Sequence, residues 1–142
     1  MITLINPMMN LIIVALTVLV AGSANAQPVT EAEITPDPIL RDLERQGPID
    51  RVRSWPIDWN SDEHEDFVVQ IAYWLGGNAV EVEHRIYIGN DTGFSLSKVL
   101  EIDGGIRSVT QTETGIEVEN WFHVDGNGRC CPTGMRTLSF HP

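Results

Sequence analysis

Charge is missing altogether from the first 26 residues of this 142-residue chain, and basic residues are scarce in the rest. Nine Lys and Arg stand against 20 Asp and Glu, a net charge of −11. Nucleic acid and anionic membrane surfaces both demand positive patches, so neither is an expected partner. A cationic partner or a bound metal is compatible with this balance, and so is charge kept for solubility alone. Cysteine is nearly absent: the only two are the neighbours Cys130 and Cys131. That excludes the C-x-x-C of thioredoxin-like enzymes, and no βαβ pattern surrounds the pair. It also leaves too few thiolates for a four-cysteine zinc site. No Ser-His-Asp order, HExxH or P-loop occurs, so no catalytic residue is assigned and no enzymatic activity is expected. Nor is there an internal repeat long enough for a solenoid or propeller.

Apolar runs are short. The stretch LIIVALTVLVAG is a dozen residues, against the roughly 20 that span a bilayer. SANA follows it, and Ala24 and Ala26 are the small residues that signal peptidase reads. Residues 1–26 are therefore read as a secretory signal cleaved after Ala26, which places the mature chain in the periplasm or outside the cell. An uncleaved anchor or a buried helix is the plainer alternative. The flank MITLINPMMN carries no Lys or Arg, leaving only the α-amino group positive. No Cys lies near the cut, so neither lipid attachment nor stable membrane insertion after cleavage is expected. The remaining 116 residues suit one domain that buries about two-thirds of its unfolded surface.

Within that part, QPVTEAEITPDP is polar, acidic and Pro-rich, and residues 27–37 read as a flexible leader. DPILRDLERQGP then carries helix punctuation: Asp37 as a cap, Pro38 at the first helical position and Gly47–Pro48 as a stop. Ile39, Leu40 and Leu43 form a narrow apolar stripe that must pack against something larger. From Ile49 the period changes to two. IDRVRSW is a strand ended by Pro56, and FVVQIAYWL is a near-continuous apolar run suited to a central strand. AVEVEHRIYI places Val80, Val82, His84, Ile86 and Ile88 on one face and Glu81, Glu83, Arg85 and Tyr87 on a wet one. Turn signals roughly every 8–12 residues separate FSLSKVLEI, IRSVTQ, IEVENWFHV and MRTLSF. The fold class expected for 38–142 is mainly β, or α+β if the short helix is counted. Its form is an antiparallel meander or small sandwich of about six strands.

DWNSDEHED, residues 58–66, puts five acids into nine residues directly before an apolar strand. Counted from Asp58, side-chain oxygens fall at positions one, three, five and nine: Asp58, Asn60, Asp62 and Asp66. His64 at position seven can offer its backbone carbonyl. Alternating oxygen ligands let a short loop wrap a hard cation such as Ca²⁺, which would relieve the crowding of like charges. The alternative is a solvated acidic turn. The stretch resembles the calcium loops of FG-GAP and VCBS-type extracellular repeats, approximately D-x-[DN]-x-D-G-x-x-D before an apolar strand. It departs from them at position six, where Glu63 replaces the Gly of the sharp turn. Forcing a non-Gly residue into the left-handed region costs about 1–2 kcal/mol. Val69 at position twelve excludes an EF-hand.

In GRCCPTG, the Cys130–Cys131 pair can close a strained disulfide between adjacent residues, bridge to another chain, or stay as two thiols. A rigid loop clamp is the plain reading and thiol–disulfide redox chemistry the sharper one. Among the histidines, His64, His84, His123 and His141, His84 lies on an aliphatic strand face, where a hydrogen-bonded structural role is the ordinary one. Residues 58–140 are also similar to a group of uncharacterised secreted bacterial proteins and lipoproteins. Their shared pattern is an acidic strand start, hairpins, an I-x-x-G-x-I-x-V segment and a C-terminal CCP(S/T), here RCCPTGMRTLSF. The resemblance implies an extracytoplasmic β-rich domain and brings no catalytic residues.

The function expected is thus a non-enzymatic binding or structural module of the cell envelope, with calcium as a candidate stabiliser. Its expected partner is an envelope protein or another cationic molecule. Trp55, Trp59, Trp74 and Trp121 suit an interface, although some must be core. The alternatives are an inhibitor or immunity protein for a basic cell-wall hydrolase, and a redox protein using Cys130 and Cys131.

Overall fold

Alternating residues do become strands along the chain, and they close into a sandwich of two sheets with one helix laid on the outside. The computed structural model describes residues 25–124 and 132–142. The elements are β1 (Gln27–Val29), α1 (Asp37–Glu44), β2 (Ile49–Ile57), β3 (Asp66–Gly76), β4 (Ala79–Asn90), β5 (Gly93–Leu100), β6 (Ile106–Thr112), β7 (Gly115–Phe122) and β8 (Gly134–Phe140). One sheet runs β2-β3-β4-β5, the other β1-β6-β7-β8, and every pairing is antiparallel. The fold is mainly β with a short helix, as expected. Eight strands form where about six are expected, and β1 is the one without a sequence signal. Cys130, Cys131 and all but the last two residues of the expected signal peptide lie outside the described residues. No helix among the described residues is long and apolar enough to cross a membrane.

Two cores follow from the two faces of the first sheet. Its inner face, with Trp55, Val68 and Ile86, packs against Ile106, Val109 and Val118 of the second sheet. Its outer face, with Val69, Ile71 and Tyr87, is covered by Ile39 and Leu43 of α1, both fully buried. Each such side chain contributes about 1.5–3 kcal/mol on leaving water, so an eight-residue helix too short to persist alone is held by its stripe. Trp55 and Trp59 are core residues, whereas Trp74 and Trp121 stay half exposed.

Four expectations change. Residues 27–37 are not a flexible leader: β1 pairs with β6, the Ala32 N–H donates to the Ser54 carbonyl, and Glu31 makes a two-point ion pair with Arg53. Distant partners order this segment, and so does burial: Thr35 is buried with its hydroxyl 2.8 Å from that of Ser54, and Val29 and Ala32 pack against the two cores. The Arg53 guanidinium also draws the Glu31 carboxyl below its ordinary range, by hydrogen bond and then by charge. The helix is capped by Pro36, whose carbonyl accepts the Ile39 and Leu40 N–H groups, and Asp37 is the first helical residue without a capping bond. Pro56 does not end β2, because β2 is an edge strand and a missing N–H on its outer side costs no ladder bond. Finally, the supposedly wet face of β4 is dry at its base. Arg85 and Tyr87 are buried under α1, where the Tyr87 hydroxyl donates to Asp42 and Arg85 to Gln46 and Glu83. Burial, followed by the bond to Asp42, pushes the Tyr87 phenol up to about 12.

The sheets are tied at one end by residues 101–105. Gln70 of β3 accepts the Ile106 N–H at 2.6 Å, and Asn120 of β7 donates to the Asp103 carbonyl at 2.6 Å. Gly104, at φ 93°, lies so close to the Trp121 carbonyl that no Cβ fits. Below this seam sits His84, 1% exposed, opposite Gln70 on one side and Leu100 on the other. Its ring bonds the Gly104 backbone, while Nε2 has no hydrogen-bond partner among the described residues. Burial drives its pKa from 6.5 down to about 4. Because the folded value is depressed, the unfolded chain binds the proton first, and stability is lost as pH falls from about 6.5 towards 4. The shift corresponds to about 3 kcal/mol at the acid end. Urea denaturation at pH 7, 5.5 and 4.5 is expected to show this fall in the wild type and a flatter profile in His84→Gln. Parallel profiles for the two proteins would contradict the assignment.

Candidate metal centre

The acidic loop is the connection between β2 and β3, and its ends are fixed by the fold. At its start, Gln111 of β6 clasps Asp58, accepting its N–H at 3.0 Å and donating to its carbonyl at 3.1 Å. Trp59 then turns into the core, 4% exposed, with the Lys98 ammonium 5.5 Å above its ring. At the far end Asp66 is wholly buried. One of its carboxylate oxygens accepts the Trp59 N–H at 2.7 Å and the other accepts the Gly89 N–H of β4 at 2.8 Å. Gly89 is required there: a Cβ would collide with the Glu65 carbonyl.

Between these anchors the loop folds through two side-chain turns in succession. Asn60 Oδ1 accepts the Asp62 N–H at 3.2 Å, and Asp62 Oδ1 accepts the His64 N–H at 2.9 Å. The intervening residues take the left-handed region, Ser61 at φ 60° and Glu63 at φ 66°. Position six of the pattern therefore has the backbone that the resembled loops assign to Gly, with Glu63 bearing the strain.

Of the five expected ligands, the fold brings three aspartates together. One carboxylate oxygen each from Asp58, Asp62 and Asp66 lies within 4.8 Å of the others. Ligands facing each other across a calcium ion at about 2.4 Å are about 4.8 Å apart, so the spacing fits one hard cation. Asp58 Oδ1 is buried and has no hydrogen-bond partner among the described residues, an acceptor that an ion would satisfy. Asp66 retains a free lone pair on each oxygen after accepting one N–H apiece. Asn60 is held beside the cluster by its Nδ2–H bond to Asp62 at 2.8 Å. The His64 ring is not part of the cluster. It lies 3.4 Å from Asp62 and 3.2 Å from Asp91, and a ring nitrogen is no ligand for a hard cation.

The electrostatics of the loop run in two directions. Asp62 is held below the carboxylate range, first by the His64 backbone N–H and then by the Asn60 amide. His64 is raised, first by its bond to Asp91 and then by the charge of Asp62. The Asp62 contribution is lost as pH falls through its lowered value. The His64 contribution is complete below pH 6.5 and lost as pH rises through its raised one. Both are in place only in the mildly acidic window between.

Sequence reasoning missed Gln111, Asp91 and Gly89. Asp91 and Gly89 lie in the GNDTG turn that sequence marks, but nothing local links Gln111 to a loop 53 residues away. A groove of about 430 Å³ opens beside the loop, lined by Pro28, Val29, Ile57, Asp58, His64 and Gln111 among others. Comparison with known protein families, curated proteins and solved structures returns no match for the chain.

Two substitutions separate the loop's anchor from its strain. Asp66→Ala leaves two buried N–H groups without acceptors and is expected to cost about 2–4 kcal/mol in urea denaturation. Glu63→Gly relieves the left-handed residue and is expected to raise stability by up to about 1 kcal/mol. A neutral Asp66→Ala would show that the carboxylate does not anchor the loop.

Proposed function

We propose that the protein is a secreted or periplasmic, non-enzymatic β-sandwich module of the cell envelope, stabilised by calcium in the β2–β3 loop and serving to bind a partner. The convergence of Asp58, Asp62 and Asp66, with the buried and unpartnered Asp58 Oδ1 among them, carries the calcium part of the reading. The ion is structural: Asp62 and Asp66 accept N–H groups of the loop itself, and the main chain of Asp58 and the carboxylate of Asp66 anchor its two ends. The apolar run before Ala26 and the signal-peptidase residues support the compartment, where calcium is abundant enough for weak extracellular sites. The net charge of −11 supports a cationic partner.

A second reading, an inhibitor of a basic cell-wall hydrolase, is favoured by that same charge together with the half-exposed Trp74 on a projecting hairpin. It requires inhibition of a cationic lysozyme at low ionic strength, and undiminished lysozyme activity in molar excess of the protein would reject it.

Thermal unfolding with millimolar calcium and with chelator tests the main reading. At a hundred-fold excess of ion over its dissociation constant, stabilisation of about 2.7 kcal/mol is expected, and Asp58→Asn is expected to abolish the difference. An unfolding temperature indifferent to calcium would refute the calcium part.

A further inference from the structure

The β3–β4 hairpin runs past the rest of its sheet. The β4–β5 ladder stops at His84 paired with Leu100, yet β4 begins at Ala79. The chain leaves the ladder there because Ile102 is drawn into the core between the sheets, only 8% exposed. Among the described residues, no strand pairs with the outer edge of residues 79–83, although β3 pairs with their inner edge. An open edge of this kind is a template for another strand.

Its two faces differ in chemistry. On the face continuous with the sandwich interior, Trp74 is paired with Val80 and Ala72 with Val82. Trp74, Val80 and Val82 are 50%, 46% and 38% exposed, since the second sheet does not reach this far. Trp74 Nε1 donates to the Gly77 carbonyl at 3.0 Å, which lays the indole against the turn and leaves its ring for contact. On the opposite face stand Glu81 and Glu83. Glu83 is already paired with the buried Arg85, whereas Glu81 has no basic partner among the described ion pairs.

We propose that the outer edge of residues 79–83 takes up an extended segment of a partner protein in which apolar residues alternate with Lys or Arg. Such a segment continues the line of β5, sets its apolar side chains beside Val80 and Val82, and sets a cation opposite Glu81. Charge selects this occupant over a second copy of the chain. Antiparallel pairing of two such edges would place acids against acids, which is unfavourable for directly opposed residues. The inference rests on the binding-module reading and names the surface and the partner chemistry for it.

The probe is a capped octapeptide alternating valine and lysine, with a valine–glutamate octapeptide as control, followed by amide NMR. Binding of the lysine peptide is expected to shift and protect the amides of residues 79–83, to weaken with added salt, and to be absent for the control. Glu81→Lys is expected to weaken it about three- to ten-fold, and Val82→Lys to remove it, with the rest of each spectrum unchanged. If the lysine peptide instead binds the acidic loop, surviving Val82→Lys and failing in Asp58→Asn, the surface is wrong while the binding-module reading stands. Absence of lysine-peptide binding at low salt overturns the surface inference. Concentration-dependent dimerisation in ultracentrifugation, abolished by Val82→Lys, would show that the edge belongs to a second copy and would also overturn it.

Discussion

A single buried carboxylate, that of Asp66, holds together the parts of this protein that are far apart in sequence. It closes the β2–β3 loop onto itself through the Trp59 N–H and joins that loop to β4 through the Gly89 N–H. Charge-assisted bonds of this type are roughly twice as strong as neutral ones, and Asp66 is wholly buried, so without it both donors would be stranded. The consequences spread from there. Trp59 can enter the core only because its backbone is satisfied. Asp58 and Asp62 are brought to Asp66 because the loop is pinned at both ends.

The loop was legible in the sequence to an unusual depth. The spacing of its acids and the misfit at Glu63 could be counted, because side-chain turns at Asn60 and Asp62 are local in sequence. The φ of 66° at Glu63 bears out the position of the sharp turn. What could not be counted was everything supplied from a distance: the Gln111 clasp, the Gly89 donor, and β1, whose three residues find β6 some 80 positions later. The same limit explains β4. Its alternation was read correctly, but alternation reports which residues share a face and not what covers that face. Helix α1 covers the acidic face at its base, and the second sheet fails to cover the apolar face at its tip. Pro56 teaches the complementary lesson, since a proline ends a central strand and not an edge.

Charge ties these observations together. With 20 acids against nine bases, the chain places its few cations where they join elements. Arg53 links Glu31 to the Ile106 carbonyl and stacks on Trp55. Arg85 links β4 to Gln46, just beyond α1, and Lys98 spans the two sheets to the His141 carbonyl. Three of the nine basic residues are thereby committed to architecture. The densest run of acids is the β2–β3 loop, and the hairpin adds Glu81. A net charge of −11 favours cations over anions near the surface.

The central claim is that the three aspartates form one ion site beside Trp59, and lanthanide luminescence tests it most directly. Terbium, a calcium mimic, emits strongly when an excited tryptophan lies close to it. Excitation of the wild type with terbium is expected to give sensitised emission that calcium displaces and that both Asp58→Asn and Trp59→Phe reduce. Emission that calcium leaves untouched, or that persists in Asp58→Asn, would contradict the account.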